Sequence, residues 1–428
     1  MVFIKFRFGI VIFIVLVAIG IGIVSADSRI VPASMEQGPF MEFRLTTDEA
    51  VTNAQYGRSV AIDGNLVAVG MGGDGAVGAV YLYKRQGMTY APEGKLDFPD
   101  AIPGACTDDD PDNDFGNCPE FGRTVAIQGN TVFVGARFAQ AGTTQGAGAV
   151  YIFKKNGKTW RYEGKVVSPS PQTGDNFGRA LAIQDNFLVV TARKNTDERG
   201  AAYVFEKKGQ GYAYKASLKA GDSADGDYFG QSVALQGNFI VIGARNTAGP
   251  DGATAGGFYL FRQKGGQWIE VTKMTPPGGK NDDQYGFAIA IKGNTIVVTA
   301  RRADPAGVKN AGAAFVYSLK GDFVNLVTPL TPSDVKANDE FGQSVAIAGD
   351  VIAVGAWKDD NKQGSIYLFS RKGGQWIEAN KITASDGMAG DEFGYSLSAF
   401  GNRIVTGAHT ADFISTDGGA AYVLSLKS

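Results

Sequence analysis

The apolar positions of this 428-residue chain fall in short alternating runs, not in helical stripes. One phrase carries the pattern: an aromatic residue, Gly, a variable residue, then small and large apolar residues in alternation. It opens at Tyr56, Phe121, Phe177, Phe229, Tyr285, Phe341 and Phe393, at spacings of 65, 56, 52, 56, 56 and 52 residues. The third and fifth positions after the aromatic are small in every copy, as in Ser59 and Ala61, Thr124 and Ala126, or Ala180 and Ala182. The fourth and sixth are large and apolar in the first six copies, beginning with Val60 and Ile62. A period of two puts these sets on opposite faces of a β-strand.

Each phrase runs through a Gly-Asn-type turn, such as Gly64-Asn65 or Gly293-Asn294, into a second, β-branched run. A variable loop leads to a third run. A Lys- and Gly-rich turn then leads to a fourth, often opened by an aromatic such as Trp160, Trp268 or Trp376. Four antiparallel strands in each of seven units predict an all-β fold, a seven-bladed β-propeller. The last unit stops after its third strand, and the segment before Tyr56 supplies the missing length. Leu45 stands 11 residues before Tyr56, the offset at which Val166, Leu218, Met274, Leu330 and Ile382 precede their own aromatics. An N-terminal strand around residues 41–45 is therefore predicted to close the last blade.

The ends of the propeller follow from the same pattern. Lys5 and Arg7 precede an uncharged apolar run over residues 8–24, with Val24 and Ala26 at the −3 and −1 positions of a cleavage site. Residues 1–26 read as a signal peptide, 27–38 as a linker and 39–428 as the propeller, with an insertion over 97–120. The mature chain is expected to be secreted or at the cell surface with no membrane span; an uncleaved leader would anchor it instead. Composition narrows the chemistry. The single His excludes His-rich zinc sites, and two Cys exclude zinc clusters and a disulfide-dense scaffold. A formal charge of −2 gives no electrostatic basis for nucleic-acid binding. The 59 Gly follow no collagen period and suit many tight turns.

The phrase aromatic-Gly-x-Ser-Val-Ala-Ile, its following Ile-Val-Val-Gly-Ala type of run and the later Ala-Ala-Tyr-Val-Phe type of run resemble the FG-GAP repeat. That repeat builds the propeller of integrin α subunits and of many secreted proteins, and the resemblance covers residues 39–428. It implies a propeller fold and an exported, non-enzymatic binding or adhesion protein whose partner is an extracellular protein or glycan. Integrin-type repeats carry an Asp/Asn-rich calcium loop between the first two strands. Here that connection is only a tight turn, so the resemblance is to the form lacking the calcium loop, and no cofactor is implied.

Antiparallel order places the loops before strand one and after strand two on the same face, and these are the long ones. That face is the expected binding surface. Two charged series fall on it. Asp175, Asp227, Asp283, Asp339 and Asp391 stand two residues before the aromatic. Arg137, Arg193, Arg245 and Arg301 follow strand two, where other copies have Met71, Trp357 and His409. In a structural reading each Asp accepts backbone N–H bonds in its turn and pairs with an Arg. In a functional reading the arginines, with Trp357 and His409, form an arc for acidic sugars or carboxylates. Cys106 and Cys118 bracket the insertion and are expected to form a disulfide in an exported protein. Between them Asp108, Asp110, Asp112 and Asp114 offer oxygen ligands for calcium, or form a solvated acidic loop. The rival to a binding protein is a polysaccharide-acting enzyme using His409 or a Tyr as base, which clustering of His409, a Tyr and an Arg in one deep pocket would favour. A structural wall or matrix component is the third reading.

Overall fold

The aromatic-Gly phrase folds as a strand with a defect at its start. Tyr56 pairs with Met71, but the next pair is Ser59 with Gly70, so Gly57 and Arg58 lie outside the ladder. The same shift follows Phe121, Phe229 and Phe341. Gly57 has φ +92°, and a Cβ there would strike the carbonyl oxygen of Ala420 in the neighbouring blade. Only Gly fits that backbone at that approach. The bulge turns the residue after the Gly out of the sheet's alternation.

A computed structural model describes residues 34–37, 40–49, 52–72, 77–100, 118–195, 197–412 and 415–427. The expected signal peptide and most of the insertion, with Cys106, Asp108, Asp110, Asp112 and Asp114, lie outside the described residues. Blade one is an antiparallel meander of Tyr56–Asp63, Leu66–Met71, Ala79–Gln86 and Thr89–Asp97. Five more four-stranded sheets repeat it, starting at Phe121, Phe177, Phe229, Tyr285 and Phe341. The seventh combines Ser396–Phe400, Arg403–Ala408 and Ala420–Leu426 with the N-terminal strand Phe40–Leu45. Phe40 pairs with Leu426 and Leu45 with Ala421, so the ring closes as the repeat arithmetic predicts. Ser34–Gln37, within the segment read as a linker, adds a fifth strand outside Phe40–Leu45.

The core lies between blades. One layer joins Ala61, Ala68, Val80 and Leu82 of blade one to Phe121, Val132, Val134 and Tyr151 of blade two. The opening aromatic is its keystone: Phe121 is fully buried, edge-on to Tyr151 at 5.6 Å and Phe153 at 5.8 Å. Truncating such a residue to Ala costs about 3–5 kcal/mol. The tryptophans opening fourth strands pack on these layers too; Trp268 meets Phe187 edge-on at 5.8 Å.

In five of the seven blades a hydroxyl latches the blade to the next. Ser59 donates to the Gly122 carbonyl at 2.7 Å, Thr124 to Gly178 at 2.8 Å, Ser232 to Gly286 at 2.8 Å and Ser344 to Gly394 at 2.6 Å. Ser396 closes the circle on Gly57 at 2.8 Å. The residue opposite is always Gly (70, 135, 243, 355, 407), where a Cβ would collide with the hydroxyl and the neighbouring carbonyl. Blades three and five invert the arrangement. Strand one has Ala180 or Ala288, and strand two supplies Thr191 or Thr299, whose hydroxyl accepts from the Ala N–H at 3.1 and 3.0 Å. There the side chain substitutes for a ladder bond, and regular pairing resumes only at Leu181 and Ile289.

Candidate functional site

The first strands contact one another in a closed cycle and surround an axis. At the long-loop end a cavity of about 420 Å³ is lined by residues from all seven. Its outer tier is built by the bulges. Arg58, Arg123 and Arg179 occupy the freed position after the Gly, followed around the ring by Gln231, Phe287, Gln343 and Tyr395. Arg245 and Arg301, from the ends of second strands, complete five arginines in the lining. The tier below is aliphatic, with Val60, Leu181, Ile289 and their counterparts.

The residue before each aromatic forms a further ring that sequence reasoning missed. Gln55, Glu120, Asn176, Tyr228, Gln284, Glu340 and Glu392 all have positive φ, between 50° and 60°. That backbone is costly for non-Gly residues and marks an over-determined position. In five of the blades this residue engages the one 17 positions later. Arg137 donates from Nε and Nη2 to the Glu120 carboxylate at 2.5 and 2.6 Å. Arg245 stacks over the Tyr228 ring at 4.5 Å. Arg301 donates to Gln284 at 2.8 Å, and Trp357 Nε1 donates to Glu340 at 3.0 Å. His409 Nδ1 lies 3.4 Å from the Glu392 carboxylate. Neighbouring blades are joined as well, since Arg193 donates to Gln231 at 3.0 Å and Arg301 to Gln343 at 2.9 Å.

Two sequence expectations change. Met71 does not stand at the Arg position; it pairs with Tyr56 as Ala136 pairs with Phe121, so Gly72 is the equivalent of Arg137. The Asp series caps its own turns without meeting the arginine series. Asp175 accepts from the Gln172 N–H, Asp227 from Ala224 and Asp283 from Lys280, each at 2.8 Å. Asp339 and Asp391 do the same with Lys336 and Met388. Burial raises the pKa of all five; that of Asp339 is pushed up to about 6 by burial and then by Asp359 nearby.

Of the candidates, only Arg245 and Arg301 line the cavity directly. Arg137 is held by Glu120 and Arg193 by Gln231 behind it. Trp357 meets Tyr395 edge-on at 5.7 Å. His409 is 5% exposed and stacks on Tyr395 with ring centres 3.8 Å apart. Burial, then Arg58 and Lys362, pushes its pKa down to about 3, so it is neutral at pH 7. Cys118 is buried at the edge of the insertion; its expected partner lies outside the described residues. The described residues contain no cluster of three or more His, Cys, Asp or Glu suited to a metal, and no helix long and apolar enough to cross a membrane.

The FG-GAP repeat family matches residues 41–83, 112–153, 160–205, 212–261, 268–317, 325–369 and 376–424. No curated protein matches the chain. Among solved structures, a chain from the crystal structure of the mitotic checkpoint complex aligns with TM-score 0.54 at 10% identity, covering 99% of this chain and 100% of that one. At that identity the likeness shows the fold alone. The repeat matches span most of the sequence: the chain belongs to the FG-GAP repeat family.

Proposed function

We propose that this FG-GAP propeller is an exported, non-enzymatic binding or adhesion protein that docks an extracellular protein or glycan on its long-loop face. One observation carries the reading: the axial mouth on that face is lined by five arginines, while the lining at the opposite end is mostly aliphatic with a single cation, Lys292, among the described residues. A polar, concave opening among long loops is where binding residues concentrate on a repeat scaffold. Arg137, Arg193, Arg245, Arg301, Trp357 and His409 frame this mouth in the proposal, which also keeps a Cys106–Cys118 bridge. The test is a glycan and surface-protein binding screen, followed by paired charge reversals. Lys280→Glu with Lys309→Glu, on the long-loop face, is expected to weaken the captured interaction at least about tenfold. Lys208→Glu with Lys372→Glu, on the short-turn face, is expected to leave it unchanged. The reverse result would move the binding surface to the other face.

A second reading has an observation in its favour, because His409, Tyr395 and the Arg58 charge do cluster. A His held near 3 is a poor general base at neutral pH, and among the described residues no carboxylic acid lines the cavity itself, Glu392 lying behind His409. Cleavage of a polysaccharide panel that His409→Phe abolishes would establish the enzyme instead.

A further inference from the structure

We infer that the axial pocket on the long-loop face is a binding site for a compact multivalent oxyanion of the sulfate or phosphate type. Two of the guanidinium groups here, Arg179 and Arg245, are left without an acidic side chain paired to them among the described residues. Five arginines line the cavity, and no acidic side chain does among the described residues. The nearby acids are already engaged. Glu120 is held by two nitrogens of Arg137, and Glu340 by Trp357 Nε1, by Lys358 Nζ at 2.7 Å and, at 3.6 Å, by Arg301 of the lining. Arg123 Nε reaches Glu120 only at 3.7 Å, at the oxygen that Arg137 Nε already holds. Arg179 has no acidic partner among the described residues, and its Nε is buried without a hydrogen-bond acceptor. Arg245 meets an aromatic face, and its Nε is likewise unsatisfied.

Burial and the charges of Arg193, Arg137 and Arg245 hold the Arg179 guanidinium well below its ordinary pKa. A guanidinium does not give up its proton in a protein, so the crowding persists as repulsion that an anion relieves. Donors from several blades converge on the axis, and guanidinium forks match a tetrahedral oxyanion. The concentration of charge is local, since the chain as a whole is acidic at −2. A basic cleft in an acidic protein selects by focusing its field into the pocket.

The inference rests on the long-loop face being the binding face, but the two fail separately. The direct test is titration calorimetry and thermal melting of the mature chain with millimolar inorganic sulfate or phosphate, against chloride at equal ionic strength. Saturable binding is expected, with Tm raised by roughly 1–3 °C because the anion binds only the folded state. Arg179→Gln and Arg245→Gln are each expected to weaken it at least about tenfold, and Arg179→Gln to raise Tm in chloride by removing a crowded charge. Arg161→Gln, on an exposed outer strand, is expected to change neither. A sulfated tetrasaccharide that binds more tightly than inorganic sulfate places the anion on a glycan, and equal affinity makes it a free ion; both support the pocket. No saturable binding, or equal affinity in wild type and Arg179→Gln, would overturn it. Partner capture that survives such a result leaves the binding face standing.

Discussion

The two ends of the axial channel differ in character, although first strands of the same blades four to seven line both. At the long-loop end the wall carries Arg58, Arg123, Arg179, Arg245 and Arg301. At the short-turn end it carries Leu235, Ile291, Ile347, Ala399 and Phe400, with Lys292 as its one cation. The difference arises in the backbone. At the far end the ladder is regular, and the strands present mostly aliphatic residues to the lining. At the mouth the bulge after each aromatic releases one residue from that alternation, and polar side chains enter there without costing the core its packing. A repeat under strict packing rules thus gains a chemically free ring at one end, and that end is where the proposed function is placed.

The comparison presupposes a closed ring, and the largest effect is expected from opening it. Deleting residues 34–45 removes Phe40, Phe43 and Leu45, each 5% exposed or less, and six ladder pairs with Ala420–Leu426. At about 1.5–3 kcal/mol per large apolar side chain, the loss is on the order of 5 kcal/mol or more, with an exposed sheet edge besides. Melting followed by far-ultraviolet dichroism and by tryptophan fluorescence, with Trp357 reporting at the mouth, is expected to collapse together or give way to aggregation. An unchanged melt would show that the N-terminal strand does not hold the ring.

A smaller effect tests the wall that both ends share. In blade three the latch hydroxyl sits on Thr191 beside Ala180, whereas five other blades pair Ser or Thr with Gly. Ala180→Ser alone crowds two side chains into space that holds one, costing about 1–3 kcal/mol. Thr191→Gly alone leaves the Ala180 N–H without its acceptor, at a similar cost. The double variant recreates the common arrangement and is expected to lie within about 1 kcal/mol of wild type. Additive losses in a urea double-mutant cycle would show that the two residues do not share a site.

The blades were legible because one phrase repeats, and closure because Leu45 keeps the common offset. The mouth was harder to read. Residues before the aromatics range from Gln55 to Tyr228 and Glu392, so no residue type announces a ring; only the constant separation of 17 from Arg137, Arg245, Arg301, Trp357 and His409 does. Opposite charge suggested that Asp227 and Arg245 pair, but the Asp oxygen folds back on its own turn and the Arg lies on Tyr228. Met71 was misplaced because one Gly stands where four copies have Arg, and only ladder pairing fixes the register. The sequence also hid ties between blades such as Tyr259 and Lys273, which share Asp222 from the preceding loop at 2.7 and 2.6 Å. Their residues are distant in the chain and ordinary in type.

The smallest effect at neutral pH is confined to the mouth and separates it from the far end by titration. His409 is buried against Tyr395, near Glu392, Arg58 and Lys362, with its pKa pushed down from 6.5 to about 3. Between those values the unfolded chain binds a proton that the folded chain refuses, so stability falls as pH drops from 6.5 towards 3. Above 6.5 both states are neutral at this residue, and it contributes no slope. At pH 5 the gap between 6.5 and 5 corresponds to about 2 kcal/mol lost to His409 alone. His409→Phe keeps a ring against Tyr395 but cannot titrate. Urea unfolding at pH 7, 5 and 4 is therefore expected to show the variant gaining on wild type as the medium is acidified, most of all at pH 4. A difference between the two proteins that stays constant across this range would mean that His409 is solvated and protonates freely, and the mouth would then be a wetter, more open ring than its packing describes.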